Sequence, residues 1–373
     1  MRIAYVVPGG VDPPDGDRII PFVHHLVRTM TERHDVTVVA VGHDTVEREW
    51  TLFGAPVVNV PIGDHGKADI ARVLAAVPGA AARHGRPDVV HGLWANLPGL
   101  AAMTTGKRFR VPSIVSVCGG ELASVPSIAY GGGLRSGTRR LALTALRSAT
   151  ATTVATEWMR YHVLAAGSPV TEVVPLGADR EVFDTVETVA SPGRLVHVAG
   201  LNRVKDQDLL LRAFALAVER EPTLTLTIAG GDTLDGHHRR LADELHIADR
   251  LEFLGHVPHA GLAQVLRGAD VHVLTSHHDA GPIAVVEAAM AGVPTVGTAV
   301  GHVADFAALT APAAVAVDGR DPATLATAIV DLVTDRARRD AQAAAARTWS
   351  TRHDATFTAD TFDQLYRRLT GVV

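Results

Sequence analysis

Short apolar runs rich in β-branched residues alternate along this chain with longer segments of helical periodicity. Such alternation is typical of parallel β-α-β units, in which a helix returns the chain to the start of the next strand. In the first half, the predicted strands are Ile3–Val7, Val36–Ala40, Val57–Val60, Val89–His91, Ser113–Val117, Thr152–Ala155 and Thr171–Val174, and the predicted helices include Ile20–Thr31 and Asp69–Ala82.

The alternation then restarts with a strand at Leu195–Ala199 and an amphipathic helix at Asp206–Arg220. Further strands are predicted at Leu224–Ala229, Leu251–Leu254, Val271–Leu274 and Thr295–Val296, and further helices at Ala323–Thr334 and Ala337–Arg347. Two separate runs of alternation predict an α/β protein with two doubly wound parallel-sheet domains.

The join between the two domains is predicted near Pro175–Asp179, where proline and glycine interrupt both patterns. The N-terminal domain is therefore expected to span 1–176 and the C-terminal domain 177–353, with the last segment, 354–373, packing back on the first domain. Open parallel sheets bind ligands beyond the carboxyl ends of their strands. Function is accordingly expected on the loops that follow strands, around a cleft between two facing sheets.

Composition narrows the class of protein. With 47% hydrophobic and 20% charged residues in 373, the chain is expected to form packed globular domains. The formal net charge of -5 argues against nucleic acid as a partner, because phosphate backbones require a basic face. The single cysteine, Cys118, excludes an intramolecular disulfide and a thiolate zinc site. The N-terminus lacks the apolar core of a signal peptide, and no apolar run could span a bilayer, so a cytoplasmic location is expected.

Several familiar motifs are absent or incomplete. No G-x-G-x-x-G follows the first strand, which disfavours a dehydrogenase, and Gly132–Thr138 has P-loop spacing without the lysine. Asp15 and Asp17 imitate a metal-binding D-x-D but stand in a loop rich in glycine and proline, so no metal is expected there. The histidine doublets also lack metal-ligand spacing; they are His24-His25, His237-His238 and His277-His278.

The most informative motif contains two carboxylates eight residues apart, Asp279 and Glu287. A strand is predicted to end at Ser276, followed by a tight loop and a helix that opens near Pro282. The free N–H groups of that first turn can hold a diphosphate, and a carboxylate suits the vicinal hydroxyls of a ribose or hexose. Glu287 lies in an apolar helix, where an unpaired charge would be costly. The alternative is that Glu287 only forms an ion pair with a neighbour.

A second motif follows the first strand of the C-terminal half and contains Arg203 and Lys205. Two cations at the carboxyl end of a strand can balance a diphosphate leaving group without a metal ion. Basic residues are unfavourable at a helix N-terminus, which indicates an anionic partner. The alternative is a pair of solvated cations flanking a helix.

With these two motifs, the chain resembles glycosyltransferase family 4, a family of retaining enzymes with the GT-B fold of two Rossmann-like domains. The resemblance covers about residues 1 to 310. It lies in the paired acids (E-x7-E in the family, Asp279-x7-Glu287 here), the Lys205 motif, and the phrases Val174–Asp179 and Gly297–Gly301.

The resemblance implies that Glu287 binds the donor ribose, that Asp279 contacts the donor sugar near the reacting carbon, and that Arg203 and Lys205 hold the diphosphate. The other implied donor contacts are Ser276, Gly281, Pro282 and Ile283 at the phosphates and sugar, His256 and Val257 beside the nucleobase, and Gly9, Gly10 and Gly16 of the N-terminal domain. Acceptor choice belongs to the N-terminal domain, which offers His91, Trp94 and Asn96 on a loop after a strand. Trp94 is equally compatible with stacking on a sugar and with a place in the core.

The sequence departs from the family pattern at three places. The first acid is Asp279, which reaches one methylene less far than glutamate. The arginine expected after Gly200 is missing, and Arg203 is taken as its substitute. Cys118 stands where many members carry a histidine, so Glu121 on the following glycine-rich loop becomes an alternative polar and catalytic contact.

The implied activity is metal-independent transfer of a hexosyl group from a UDP- or GDP-linked sugar, without a cofactor, to a glycan, a lipid-linked or a small-molecule acceptor. A sugar-nucleotide epimerase of the same fold, a glycoside phosphorylase and a non-catalytic sugar-nucleotide sensor remain alternatives. Residues 101–150 carry an excess of basic side chains, which indicates either a solvated surface or peripheral membrane contact. These residues are Lys107, Arg108, Arg110, Arg135, Arg139, Arg140 and Arg147, opposed by Glu121 alone.

Overall fold

Residues 1–14, 16, 18–63, 66–184 and 193–372 are described by a computed structural model. The chain divides into two units, Met1–Leu176 together with Ala355–Val373, and Gly177–Asp354. No helix among the described residues is both long and apolar enough to cross a bilayer.

The first unit contains an eight-stranded sheet with helices on both faces. Its strands are β1 (Arg2–Val7), β2 (Asp35–Val41), β3 (Glu49–Leu52), β4 (Ala55–Val60), β5 (Val89–Leu93), β6 (Ser113–Val117), β7 (Ala151–Val154) and β8 (Glu172–Val173). Its first helices are α1 (Pro21–Thr31), α2 (Lys67–Ala81), α3 (Leu97–Phe109), α4 (Ser136–Ser148) and α5 (Glu157–Ala165).

The strand order of this sheet is β3-β4-β2-β1-β5-β6-β7-β8, and every pair is parallel except β3 with β4. Both faces of a parallel sheet are covered, which explains why β1, β2, β4, β5 and β6 are buried along almost their whole length. In β1, Tyr5 belongs to the core cluster that includes α1, whereas Val6 on the opposite face belongs to the cluster that includes α2.

The second unit contains a six-stranded sheet that is parallel throughout. Its strands are β9 (Arg194–Val198), β10 (Thr225–Ala229), β11 (Leu251–Gly255), β12 (Val271–Leu274), β13 (Thr295–Thr298) and β14 (Ala314–Val317), in the order β11-β10-β9-β12-β13-β14. Its helices are α6 (Arg180–Phe183), α7 (Gln207–Arg220), α8 (His237–Glu244), α9 (His259–Arg267), α10 (Ile283–Met290), α11 (Gly301–Ala307), α12 (Pro322–Thr334) and α13 (Arg336–Arg352).

The amphipathic pattern of α7 determines how this helix packs. Leu209, Leu210 and Phe214 are buried in the core of the second unit, as the helical spacing predicts. Two parallel α/β sheets, one in each unit, confirm the predicted fold class.

The last helix, α14 (Ala355–Thr370), belongs to the first unit. Its apolar face places Phe362 and Tyr366 in the same core cluster as β1. The Thr358 hydroxyl also donates a hydrogen bond of 2.6 Å to the Pro175 carbonyl at the end of the first unit's main segment.

Candidate functional site

The paired acids lie on the loop and helix that follow β12. α10 has Pro282 at its N-cap and Ile283 as its first residue, so the predicted helix start is confirmed. Asp279 lies in the loop with 16% of its side chain exposed, and Glu287 lies on α10 with only 2% exposed. Ser276, at the end of β12, is fully buried, and its hydroxyl donates a 3.4 Å hydrogen bond to Asp279.

The segment Gly297–Gly301, which carries part of the family resemblance, ends in a glycine that close packing requires. A Cβ at this position would lie 2.6 Å from the Asp279 carbonyl oxygen and 2.6 Å from Pro282 Cδ, and the residue has a φ of +49°. Only glycine therefore allows the chain after β13 to pack this closely against the Asp279 loop.

The Lys205 loop, residues 199–206, contacts the Asp279 loop at three points. The Lys205 ammonium pairs with the Asp279 carboxylate. The Thr275 hydroxyl donates to the Lys205 carbonyl at 2.8 Å, and the His277 N–H donates to the Val204 carbonyl at 2.8 Å. The two loops that the sequence singled out separately thus form one structure at the carboxyl edge of this sheet.

Arg320, which the sequence analysis did not identify, holds these loops together from a third strand end. Its guanidinium donates to the Asp206 carboxylate at 2.9 Å, to the Thr275 carbonyl at 2.7 Å and to the Ser276 carbonyl at 3.3 Å. Asp206 is itself the N-cap of α7, where its carboxylate accepts a hydrogen bond from the Leu209 N–H. Arg320 is therefore a positioning residue.

Glu287 has a partner in this structure. The His259 Nε2 lies 2.7 Å from Glu287 Oε1, and His259 is the first residue of α9. Burial lowers the pKa of His259, but the hydrogen bond and the charge of Glu287 outweigh it and raise the pKa above its ordinary value. Glu287 therefore does form an ion pair, which was the alternative explanation for this residue. The contact involves only Oε1, so Oε2 of Glu287 is not bonded to His259.

We expect the His259–Glu287 pair to make stability depend on pH. Because the folded pKa of His259 is raised, the stabilisation is fully present below the unfolded pKa and is lost as pH rises through the folded pKa. The melting temperature of wild type minus that of His259→Gln should therefore shrink as the pH rises above about 6.5, the ordinary pKa of histidine. A difference that stays constant during this rise would contradict the pair as an ionic contact.

The remaining predicted residues of the second unit differ in exposure. Arg203 is exposed on the Lys205 loop, and His256 is exposed on the loop after β11. Val257, Gly281 and Ile283 are half-buried.

In the first unit, the glycines after β1 occupy a loop that is fixed by an ionic cluster. Gly9 and Gly10 have φ values of +118° and +69°. The Asp12 carboxylate accepts hydrogen bonds from the Arg18 guanidinium at 3.0 Å and from His43 Nε2 at 2.7 Å. Burial opposes ionisation of Asp12, but these hydrogen bonds prevail and lower its pKa to about 2. The loop therefore keeps its shape around a charged carboxylate.

Gly16 lies on the same loop, where its N–H donates to the Pro13 carbonyl at 2.8 Å. Asp15 and Asp17, the two acids of the incomplete D-x-D, lie outside the described residues. The expectation that they bind no metal stays a prediction.

Glu121 is buried and its carboxylate is occupied by main-chain donors. It accepts hydrogen bonds from the N–H groups of Ala95 at 2.9 Å, Cys118 at 3.1 Å and Gly119 at 2.8 Å. These donors come from the loops after β5 and β6, so the carboxylate holds two strand ends in register. These bonds make Glu121 a positioning residue for the two loops, and its expected catalytic contact stays a prediction.

Trp94 and Asn96 border a cavity of about 310 Å³ in the first unit, which Glu121, Tyr130 and Thr138 also line. This volume lies at the lower end of the range for small-molecule sites. Trp94 is half-buried and has a φ of +74°, in the left-handed region that is costly for a bulky residue. The loop after β5 thus presents an indole and an amide to one concave surface.

His91 was expected on the same loop, and that expectation is wrong. It lies inside β5, fully buried, with Nδ1 2.6 Å from the Tyr366 hydroxyl and Nε2 2.7 Å from the Ser116 hydroxyl. Burial lowers its pKa to about 3, so the imidazole is neutral. Its role is to connect α14 to the sheet.

Cys118 is half-buried after β6, and burial raises the pKa of its thiol. It is therefore not an activated nucleophile.

Two family models match this chain. One, described as a glycosyl transferase 4-like domain, matches residues 19–177, and the other, described as glycosyl transferases group 1, matches residues 180–349. Together they cover most of both structural units.

Curated relatives include D-inositol 3-phosphate glycosyltransferases. That of Thermomonospora curvata is 35% identical over 187 residues, 48% of this chain and 42% of the relative. That of Stackebrandtia nassauensis is 34% identical over 208 residues, 50% of this chain and 46% of the relative. The matched region thus spans about half the length of these relatives.

Solved structures share the fold at low identity. Sucrose-phosphate synthase from Thermosynechococcus elongatus superposes with a TM-score of 0.83 at 20% identity, covering 100% of both chains. HepE from Anabaena, in complex with UDP and glucose, gives a TM-score of 0.74 at 16% identity, covering 99% of this chain and 100% of HepE.

Proposed function

We propose that this chain, which belongs to glycosyltransferase family 4 and has the GT-B fold, transfers a hexosyl group from a nucleotide-diphosphate sugar to an acceptor hydroxyl. The proposed transfer retains the configuration of the anomeric carbon. The observation that carries this proposal is the junction of the Lys205 and Asp279 loops at one sheet edge, with Glu287 on the adjoining helix. The cation and the first N–H groups of the helix can bind the diphosphate, and the carboxylates can accept hydrogen bonds from the sugar hydroxyls.

In the proposed complex, Glu287 accepts hydrogen bonds from the ribose through the oxygen that His259 leaves available. Lys205 and Arg203 hold the diphosphate, together with the main chain of Gly281 and Ile283. This is supported by the start of α10, where no side chain of the described residues caps the helix, so that its first N–H groups can bind phosphate oxygens. His256 and Val257 are proposed to border the nucleobase.

The proposed reaction needs no enzyme nucleophile. The bond from the anomeric carbon to the phosphate oxygen breaks, the acceptor oxygen bonds to that carbon on the same face, and the departing phosphate takes the acceptor proton. Negative charge grows on the nucleotide diphosphate in the transition state. Lys205, Arg203 and the start of α10 are proposed to stabilise that charge by electrostatic preorganisation. Asp279 orients the sugar while its charge is balanced by Lys205.

For the acceptor, we propose that the Trp94 cavity contributes the binding surface. An indole face suits the apolar face of a sugar or cyclic polyol, and the Asn96 amide suits its hydroxyls. The curated relatives are named D-inositol 3-phosphate glycosyltransferases, so a phosphorylated polyol is the first acceptor to test.

The proposed function can be tested with labelled UDP- and GDP-sugars, with and without an acceptor panel that includes D-inositol 3-phosphate. We expect the nucleotide diphosphate to be released and the label to move to an acceptor. An epimerase would convert the donor without an acceptor, a phosphorylase would require free phosphate, and a sensor would bind the donor without turnover. Any of these three results would overturn the proposal.

We expect transfer activity to survive EDTA. Lys205 and Arg203 are proposed to supply the positive charge that a metal ion supplies in metal-dependent glycosyltransferases. Initial rates before and after EDTA treatment and desalting should agree. If EDTA abolished activity and Mg2+ or Mn2+ restored it, the enzyme would be metal-dependent. Asp15 and Asp17 would then be the first candidate metal ligands.

Peripheral membrane contact is proposed for the exposed arginines at the start of α4, Arg135, Arg139 and Arg140. Each basic residue near an anionic bilayer contributes about 1 kcal/mol of attraction, which salt screens. The protein should therefore co-sediment with phosphatidylserine-containing vesicles at low salt and be released at high salt. Replacing these three arginines by alanine should abolish binding, whereas the matched triple substitution of Lys107, Arg108 and Arg110 should not. No binding at low salt would favour a water-soluble acceptor.

A further inference from the structure

Asp208, His237 and His238 form a cluster of three metal-ligating side chains, none of which is among the residues proposed to bind the donor. His237 Nε2 is 2.8 Å from Asp208 Oδ1, and His238 Nε2 is 3.3 Å from the same oxygen. All three ligand atoms lie within 4.8 Å of one another. Two imidazole nitrogens thus converge on one carboxylate oxygen.

The local sequence explains why both histidines face the same carboxylate. Asp208 lies in the first turn of α7, and the two histidines open α8. Asp232 fixes the turn before α8, because its carboxylate accepts hydrogen bonds from the Leu234 N–H at 2.7 Å and the Gly236 N–H at 2.8 Å. This doublet was not expected to bind a metal because two adjacent histidines lack metal-ligand spacing, whereas in the structure a third ligand comes from a different helix.

The separations suit a small ion. A tetrahedral zinc ion with ligands at about 2.0–2.2 Å keeps its ligand atoms roughly 3.3–3.6 Å apart. The Asp208–His238 distance of 3.3 Å already matches, and the Asp208–His237 distance of 2.8 Å needs a shift of about half an ångström. His237 and Asp208 have 45% and 43% of their side chains exposed, so small adjustments are available on the solvent side.

Burial and charge also favour a cation. His238 has 2% of its side chain exposed, and its Nε2 lies 3.3 Å from the Asp208 carboxylate. Its Nδ1 has no hydrogen-bond partner among the described residues, which leaves Nε2 as its polar contact. Asp208 supplies the one carboxylate of the cluster, whereas the nearby Asp232 accepts main-chain hydrogen bonds and lies near Arg239. The Asp208 carboxylate therefore balances part of the charge of a divalent ion.

We propose that Asp208, His237 and His238 bind one divalent transition-metal ion of the zinc class, with water completing its coordination. Two imidazoles and one carboxylate form a set that favours zinc, nickel or cobalt over magnesium or calcium. The ion would link the first turns of α7 and α8 and so stabilise the second unit. This inference does not depend on the proposed transferase activity, because none of the three ligands is a proposed donor contact.

The test is titration of the metal-free, untagged protein with Zn2+ by calorimetry and with Co2+ by visible absorption. We expect one saturable site, a cobalt spectrum of four- or five-coordinate type, and a melting temperature that rises with Zn2+ concentration. His237→Ala and Asp208→Asn alter exposed side chains, so they should fold. Each should weaken Zn2+ binding by more than the roughly 10- to 100-fold typical of losing an outer-shell partner.

A matched control is His84→Gln, which removes a comparably exposed histidine that pairs with Glu49 in the first unit. It should bind Zn2+ with wild-type affinity. The proposal is overturned if wild type shows no saturable site, or if His237→Ala and Asp208→Asn bind Zn2+ as tightly as the His84→Gln control. Magnesium binding in preference to zinc would also overturn it.

Discussion

Replacing Glu287 by alanine should remove most transfer activity while the protein stays folded. A hydrogen bond to a charged group contributes about 1.5–3 kcal/mol, which corresponds to roughly 10- to 150-fold in kcat/KM. Because Glu287 is proposed to bind the ribose, which does not change during the reaction, much of the loss should appear as a higher KM for the donor. Initial rates over a range of donor concentrations, with circular dichroism as a check of folding, measure this.

One control variant and one variant of the ion pair show whether the loss in Glu287→Ala comes from donor binding. Glu219→Ala removes an exposed carboxylate of α7 and should leave kcat/KM unchanged. His259→Gln keeps an N–H donor for Glu287 and should cost much less than Glu287→Ala. Equal losses in His259→Gln and Glu287→Ala would mean that Glu287 matters only through the pair, and activity of Glu287→Ala within a few-fold of wild type would show that the donor site is misplaced.

Replacing Lys205 by alanine should lower kcat more than it changes KM. The ammonium is proposed to stabilise charge that develops on the leaving diphosphate, and removal of one such donor costs about 10²- to 10³-fold in kcat. The substitution also leaves Asp279 without its cation. Single-turnover rates at saturating donor measure the chemical step directly.

The control for Lys205 is Arg212→Ala, which removes an exposed cation from α7 and should have no effect on the rate. Lys205→Arg should recover part of the activity because it restores a positive charge. If Lys205→Ala only lowered the melting temperature and left kcat unchanged, the ion pair with Asp279 would be structural and the proposed role in leaving-group stabilisation would be wrong.

Most of the parallel strands were predictable because they are short apolar runs that lie between amphipathic helices in the sequence. β3 and β14 were not predicted. β3 pairs antiparallel with β4 across a turn at Phe53 and Gly54, both with positive φ, and phenylalanine gives no signal for such a turn. β14 has the sequence Ala-Val-Ala-Val, in which alanine has low strand propensity.

Residues that act through distant partners were the ones that sequence patterns missed. Arg320 follows β14, so the rule that function lies after strand ends would have found it had that strand been predicted. His259 pairs with Glu287 across 28 residues, and no local pattern indicates such a contact. His91 was the last residue of the predicted strand and was counted with the loop that follows, whereas β5 continues to Leu93 and keeps His91 inside the sheet.

The most direct test of the proposed donor site is a crystal structure of the protein with UDP or GDP, whichever raises its melting temperature more. We expect ribose hydroxyls within hydrogen-bond distance of the Glu287 carboxylate and diphosphate oxygens at Lys205 and the first N–H groups of α10. A nucleotide that binds without touching either Glu287 or Lys205 would contradict it.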